Sequence, residues 1–141
     1  MEITITHASG QVPVTVFHVN GEIDVKTYEQ LEQRARQEYK KGMHNLLLDL
    51  SRVTFLSSAG LRAIHSIFQL LRTDAPEESD EAMSRGLRDG SFKSPHLVLL
   101  NPQPAVLRSL SYAGFDMYLD IQHNLHKAVE SFGLVPSVEK R

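Results

Sequence analysis

Apolar residues along this chain follow two different periods, one typical of β-strands and one typical of amphipathic helices. Residues 3–6 alternate apolar with polar side chains, and residues 12–19 are rich in β-branched types, which predicts two strands joined as a hairpin. Short continuous apolar runs at 44–50 and 96–100 predict strands that are buried on both faces. Residues 115–121 are predicted to form the last strand.

Between these strands, apolar residues recur every three or four positions. Such spacing predicts amphipathic helices with apolar stripes at 28–39, 59–72, 106–113 and 125–132. Strands and helices therefore alternate, and helices serve as the crossovers that parallel strands require. We expect an α/β fold with about five strands in a mostly parallel sheet, an antiparallel N-terminal edge strand and about four helices.

One segment breaks this alternation. Residues 73–95 are acidic in their first half and polar with two glycines in their second half, so they offer little to pack. We interpret them as a solvated insertion loop, and a role in partner recognition stays open because long loops are often functional. The expected organisation is one domain over residues 1–133, with this insertion, followed by a loose C-terminal tail at 134–141.

Composition excludes several classes of function. The chain has 141 residues with a net charge of −2, so nothing in it calls for nucleic acid or an anionic membrane as partner. It has no cysteine, which removes disulfides, thiolate metal sites and cysteine nucleophiles. Its first residues lack a leader pattern, and no apolar run approaches the roughly 20 residues of a membrane span. We expect a cytoplasmic protein without a membrane partner.

Enzyme motifs are missing as well. The seven histidines are scattered without the spacing of metal ligands. The sequence contains neither a G-x-S-x-G elbow nor the glycine-rich loops that bind nucleotides. We therefore predict a protein that is not an enzyme and that uses no cofactor or metal.

Two serines lie between the strand at 44–50 and the helix that follows it. A serine at a helix start can cap the unpaired N–H groups, which stabilises a helix by about 1 kcal/mol, and spacing alone favours this role for Ser58. The same place suits an anion, including a phosphate on the serine. Elsewhere, Gly21 suits a tight turn and Asp24 can cap the first helix, while Asp49 lies inside an apolar run and needs a partner.

The residues around these serines also resemble a known family. The segment reads Asp49-Leu50-Ser51-x-Val53-x-Phe55-Leu56-Ser57-Ser58-Ala59-Gly60-Leu61. It is similar to the D-L-S-x-V-x-F-[ML]-D-S-[SA]-G-L signature of STAS domains, and residues 19–24 resemble that family's L-x-G-x-L-D segment. The resemblance implies that Ser58 is the phosphorylated serine. Ser57 replaces the acid that often precedes it and is the alternative acceptor.

The resemblance implies a function in bacterial signalling. We expect an anti-sigma factor antagonist that, when unphosphorylated, binds an anti-sigma factor, which is also a serine kinase, and so regulates sigma-factor-dependent transcription. Phosphorylation would release it, and a serine phosphatase would restore it. The expected partner-binding residues are Asp24, Ser57, Ser58, Gly60 and Leu61, with Asp49 nearby. The alternative is a STAS scaffold that is never phosphorylated, a protein- or ligand-binding module in a sensory or lipid-transport complex.

Overall fold

The computed structural model describes residues 1–73 and 93–133, which fold as an α/β domain with a five-stranded sheet. The sheet has the strand order β1-β2-β3-β4-β5, with β1 antiparallel to β2 and every later pair parallel, as predicted. None of the helices in these two ranges is long and apolar enough to cross a membrane. The elements are β1 (Glu2–Ser9), β2 (Pro13–Ile23), α1 (Tyr28–Lys40), β3 (Leu46–Leu56), α2 (Ser58–Arg72), β4 (Leu97–Leu100), α3 (Pro104–Tyr112), a 3-10 turn (Phe115–Met117), β5 (Asp120–Gln122) and α4 (Leu125–Ser131).

The sheet separates two hydrophobic cores. Alternate residues of β3, such as Leu46 and Leu48, belong to the larger core with residues of α1, α2 and α3. Leu47 points the other way and belongs to a smaller core with Val129 and Phe132 at the C-terminal end of the chain's described part. All three leucines are completely buried, which explains why the sequence of β3 is continuously apolar rather than alternating.

Strands β2 and β3 are longer than their apolar runs predict. Both continue to the same end of the sheet, where Ile23 pairs with Leu56. The prediction that Gly21 forms a tight turn is wrong, because it lies inside β2, with a φ of +118°, beside an irregularity in the register. A Cβ at this position would lie 3.2 Å from the Met1 Cα, so glycine permits both the backbone angle and the close approach of Met1.

The predicted last strand at 115–121 is wrong over most of its length. Gly114 adopts a left-handed conformation, and Phe115–Met117 then forms a 3-10 turn, which leaves only Asp120–Gln122 as strand β5. Tyr118 packs against two other rings, with its ring centroid 4.9 Å from that of Phe68 in α2 and 5.6 Å from that of Phe115. Aromatic packing, which a local pattern does not reveal, therefore replaces strand pairing here.

The predicted insertion and tail fall mostly outside the described residues, which exclude 74–92 and 134–141. The two flanks of the insertion are described. Thr73 directly follows α2, and the Ser94 N–H donates to the Tyr118 carbonyl at 2.9 Å. The predicted domain and tail boundaries stay predictions.

Candidate functional site

The carboxyl ends of β2 and β3 meet the start of α2 at one end of the sheet. The Ser57 N–H donates to the Ile23 carbonyl at 3.0 Å, and the Ser57 hydroxyl lies 3.4 Å from the same oxygen. These contacts attach the first residue after β3 to the last residue of β2. As a result, the turn that follows Ile23 and the N-terminus of α2 form one surface, and both candidate serines lie on it.

Ser57 is the residue that caps α2. Its backbone is extended, and its hydroxyl oxygen accepts a hydrogen bond from the Gly60 N–H at 3.2 Å. The Ser57 carbonyl accepts from the Leu61 N–H at 2.9 Å, the first α-helical bond. The prediction that Ser58 caps this helix is therefore wrong by one residue: β3 extends to Leu56, so the cap position falls on the serine next to it.

Ser58 has a different environment. It is the first residue of α2 and is exposed to solvent. Within residues 1–73 and 93–133 its hydroxyl makes no hydrogen bond. It also lies at a helix N-terminus, where free N–H groups and the helix dipole favour negative charge. The Ser58 hydroxyl is thus the accessible one of the pair, with its bonding capacity unused.

Gly60 allows α2 to pack this closely against the sheet. A Cβ there would lie 2.4 Å from the Ile23 carbonyl oxygen and 2.7 Å from the Leu56 Cδ1. The residue is buried, whereas Leu61 beside it is half-buried. The structure therefore gives Gly60 a packing role beneath the surface that carries Ser58, and leaves part of Leu61 accessible.

Asp24 shapes the turn between β2 and α1. Its carboxylate accepts from the Lys26 N–H at 2.9 Å and lies 3.2 Å from the Thr27 hydroxyl. The hydrogen bond from the Lys26 backbone is the main reason that the pKa of Asp24 is below its usual value, so the group is ionised at neutral pH. The prediction that Asp24 caps α1 is wrong, because Thr27 occupies the N-cap position and makes no side-chain capping bond.

Two exposed apolar side chains are close in sequence to the residues of this surface, although no local sequence pattern marks them. Val25 follows Asp24 and is 72% exposed, and Phe55 precedes Leu56 and is 50% exposed. The exposure of Phe55 could not be predicted from the sequence, because it depends on the register of β3 against β2. Both side chains lie within three residues of a candidate site residue.

Asp49 belongs to a different place. Its carboxylate lies 2.8 Å from the His18 Nδ1 and accepts from the Ser51 N–H at 3.0 Å, while the His18 Nε2 lies 3.0 Å from the Thr6 hydroxyl. Burial alone raises the pKa of Asp49, but the hydrogen bonds from Ser51 and His18 together outweigh burial and hold the pKa below its usual value.

The expectation that Asp49 lies near the acceptor serine is therefore wrong. Asp49 and Leu56 belong to the same extended strand, and the seven steps between them span roughly 23 Å at about 3.3 Å per residue. The prediction that Asp49 needs a partner is confirmed, since its carboxylate bonds the Ser51 N–H and the His18 ring. No sequence pattern points to His18, which reaches Asp49 only because β2 and β3 pair in register.

The described part of the chain contains no group of three His, Asp or Glu side chains that could hold a metal ion. The candidate surface is accordingly one of hydroxyl, carboxylate and apolar groups. Such a surface can bind a protein partner, and its free hydroxyl can accept a phosphoryl group.

Comparison with known proteins identifies the family of this domain. Residues 6–75, about half of the chain, match the family model described as STAS domain. No curated protein matches the chain significantly by sequence.

Three solved structures share the fold. A Thermotoga maritima protein proposed to be an anti-sigma factor antagonist is 21% identical, with a TM-score of 0.66 over 91% of this chain and 92% of that one. The anti-sigma factor antagonist SpoIIAA in its unphosphorylated form is 15% identical, with a TM-score of 0.66 over 95% and 99%. An anti-sigma factor antagonist from Mycobacterium paratuberculosis is 25% identical, with a TM-score of 0.64 over 91% and 92%.

Proposed function

The chain carries a STAS domain, and from this premise we propose that it is a cytoplasmic anti-sigma factor antagonist controlled by phosphorylation of Ser58. In the proposed cycle the unphosphorylated protein binds an anti-sigma factor and so frees a sigma factor for transcription. The anti-sigma factor, acting as a serine kinase, phosphorylates Ser58 and releases the protein. A serine phosphatase then restores the free hydroxyl. Three proteins with similar folds support this role. Two are described as anti-sigma factor antagonists, and the third is proposed to be one.

The observation that carries the proposal is the difference between the two serines. The Ser57 hydroxyl accepts from the Gly60 N–H and lies 3.4 Å from the Ile23 carbonyl, so phosphorylating it would remove a cap and disturb the start of α2. The Ser58 hydroxyl is exposed and makes no hydrogen bond within the described residues. Ser58 can therefore accept a phosphoryl group without loss of any contact in the fold.

The surroundings of Ser58 favour docking of a protein. Val25 and Phe55 are large, exposed and apolar, and the ionised Asp24 lies in the same turn as Val25. Protein interfaces typically bury apolar side chains at their centre and place polar groups at the rim, so exposed apolar side chains beside a hydroxyl are suited to docking. We assign this docking surface to the anti-sigma factor and include the half-buried Leu61 in it.

Phosphorylation would act on this surface through charge. A phosphate adds nearly two negative charges at neutral pH, close to a turn that already carries the Asp24 carboxylate. In the complex that charge would be desolvated against apolar contacts, and a buried charge without a partner is strongly destabilising. Release of the partner therefore needs no change in the fold of the antagonist.

The first experiment is intact-mass analysis of the protein after incubation with ATP and the anti-sigma factor kinase of the same organism. We expect one added phosphoryl group in the wild type and in Ser57→Asp, and none in Ser58→Ala. Ser57→Asp is the matched control because aspartate also caps helices, so α2 keeps its N-terminal bond.

Two other results would change the proposal. Loss of the phosphoryl group in Ser57→Asp, with retention in Ser58→Ala, would keep the switch but move the acceptor to Ser57. Binding of the kinase without phosphorylation of any variant would overturn the switch and favour a STAS scaffold that acts by binding alone.

A further inference from the structure

The edge of the sheet formed by β1 is long and open. All eight residues of β1 pair with β2 without any register irregularity, and β1 is the first strand in the sheet order. Within residues 1–73 and 93–133, no segment pairs with its outer side. The backbone groups on that side are arranged to pair with another strand.

The sequence of β1 contains none of the usual features that prevent edge pairing. Soluble proteins protect edge strands with proline, lysine, bulges or short length. Glu2–Ser9 has no proline, glycine, lysine or arginine, and its one acidic residue is at the very start. Its centre, residues 3–6, alternates isoleucine with threonine, both of which favour extended structure. The opposite edge, β5, is by contrast only three residues long.

We infer that β1 pairs with β1 of a second copy of the chain, antiparallel about a two-fold axis at Thr4. In this register Ile3 of one copy lies opposite Ile5 of the other, and Glu2 lies opposite Thr6. Ile3 and Ile5 pack against the larger core, so the apolar layer continues from one copy to the next. No two like charges face each other, and threonine and isoleucine pairs stabilise neighbouring strands.

The two neighbouring symmetric registers fit less well. An axis at Ile3 would align only residues 1–5 of the two copies, whereas an axis at Thr4 aligns residues 1–7. An axis at Ile5 would place the apolar Ile3 opposite His7 and would break the apolar layer. A symmetric dimer needs a surface that is complementary to itself, and the register centred on Thr4 meets this requirement. A second copy is therefore the occupant that the pattern of β1 supports.

This dimer leaves the surface around Ser58 accessible in both copies. The start of β1 lies opposite Asn20, near the end of β2 that leads to Ile23 and Asp24. Because the two β1 strands run antiparallel, the surfaces that carry Ser58 lie at opposite ends of the shared sheet. The inference does not depend on the proposed function, and a failure of one leaves the other intact.

The test is sedimentation equilibrium of the full chain over a wide concentration range, with Thr4→Lys, Thr4→Glu and Thr54→Lys variants. Thr4 and Thr54 are both exposed strand residues, but Thr54 is on the interior strand β3 and is the matched control. We expect a dimer for the wild type and Thr54→Lys. In Thr4→Lys, two lysines would face each other, and self-association should weaken by about fivefold or more.

Mixing Thr4→Lys with Thr4→Glu should restore the dimer, because opposite charges would then face each other. Circular dichroism of each variant checks that the domain is folded. Hydrogen exchange should also protect alternate β1 amides in the dimer. A monomer at every concentration would overturn the inference, whether β1 amides exchange fast or are protected by another part of the same chain. A dimer unaffected by either Thr4 substitution would overturn it too.

Discussion

The surface around Ser58 and the pair His18–Asp49 are both polar sites on β2 and β3, but their bonding differs. The Asp49 carboxylate has a side-chain partner in His18 and a backbone partner in Ser51. The Ser58 hydroxyl makes no hydrogen bond within the described residues and is exposed. A polar group whose hydrogen bonds are made within the domain supports the fold, whereas a polar group without such bonds can take part in chemistry or binding.

The largest effect is expected for Ser58→Glu. A permanent negative charge at this position would be desolvated on docking, and we expect the affinity for the anti-sigma factor to fall by about 100-fold or more. Isothermal calorimetry measures this, with Ser9→Glu as control, because Ser9 is exposed at the far end of β1. Equal affinities for the two variants would remove Ser58 from the docking surface.

Gly60→Ala tests the support beneath Ser58. The new methyl group would meet the Ile23 carbonyl at 2.4 Å, and relief of that overlap should lower the free energy of unfolding by about 2 kcal/mol. Urea denaturation measures the loss. Gly42→Ala is the comparison, since nothing lies within 4 Å of its Cβ and only its φ of +109° is strained, which costs about 1 kcal/mol. A smaller loss at Gly60 than at Gly42 would contradict close packing as its role.

Phe55→Ala tests the apolar part of the docking surface. We expect about tenfold weaker binding of the anti-sigma factor, because the ring would be buried in the complex, with little change in unfolding free energy. Leu125→Ala is the matched control, since Leu125 and Phe55 are both 50% exposed. A similar loss of affinity in both variants would show that exposure alone, rather than the position of Phe55, explains the effect.

Asp49→Asn tests the other side of the comparison and should change stability alone. The folded-state pKa of Asp49 is lowered, so its carboxylate stabilises the fold above the unfolded pKa, about 4, and this stabilisation is lost as pH falls through the folded pKa. We expect a loss of about 1 kcal/mol at pH 7 that shrinks toward zero as pH falls through the lowered folded-state pKa of Asp49. Urea midpoints against pH measure it, and kinase affinity should stay unchanged. A changed affinity would break the contrast with Ser58.

The sequence predicted the sheet, its mixed direction and the position of α2, because strand and helix periods are local properties. It also placed both candidate serines at the junction of β3 and α2, where the structure has them. It missed the cap by one residue because the end of β3 depends on pairing with β2. The replacement of the last strand by a 3-10 turn depends on packing between Tyr118 and Phe68, which are distant in sequence.

The misplacement of Asp49 has a similar physical cause. Asp49 and Ser58 are close in the sequence, but an extended strand separates them by most of its length. Its partner, His18, is 31 residues away along the chain and is brought near by the parallel register. The exposure of Val25 and Phe55 likewise depends on their position at the carboxyl ends of β2 and β3, which no local sequence pattern describes.

The N–H and the hydroxyl of Ser57 both approach the Ile23 carbonyl oxygen. Because these two contacts join the end of β2 to the start of α2, we expect the two segments to move as a single rigid body. A phosphate on Ser58 would leave this body in place. We therefore expect phosphorylation to change the electrostatic potential of this surface and not its shape. The phosphorylated and unphosphorylated proteins would then have nearly superimposable backbones and would differ in their affinity for the partner.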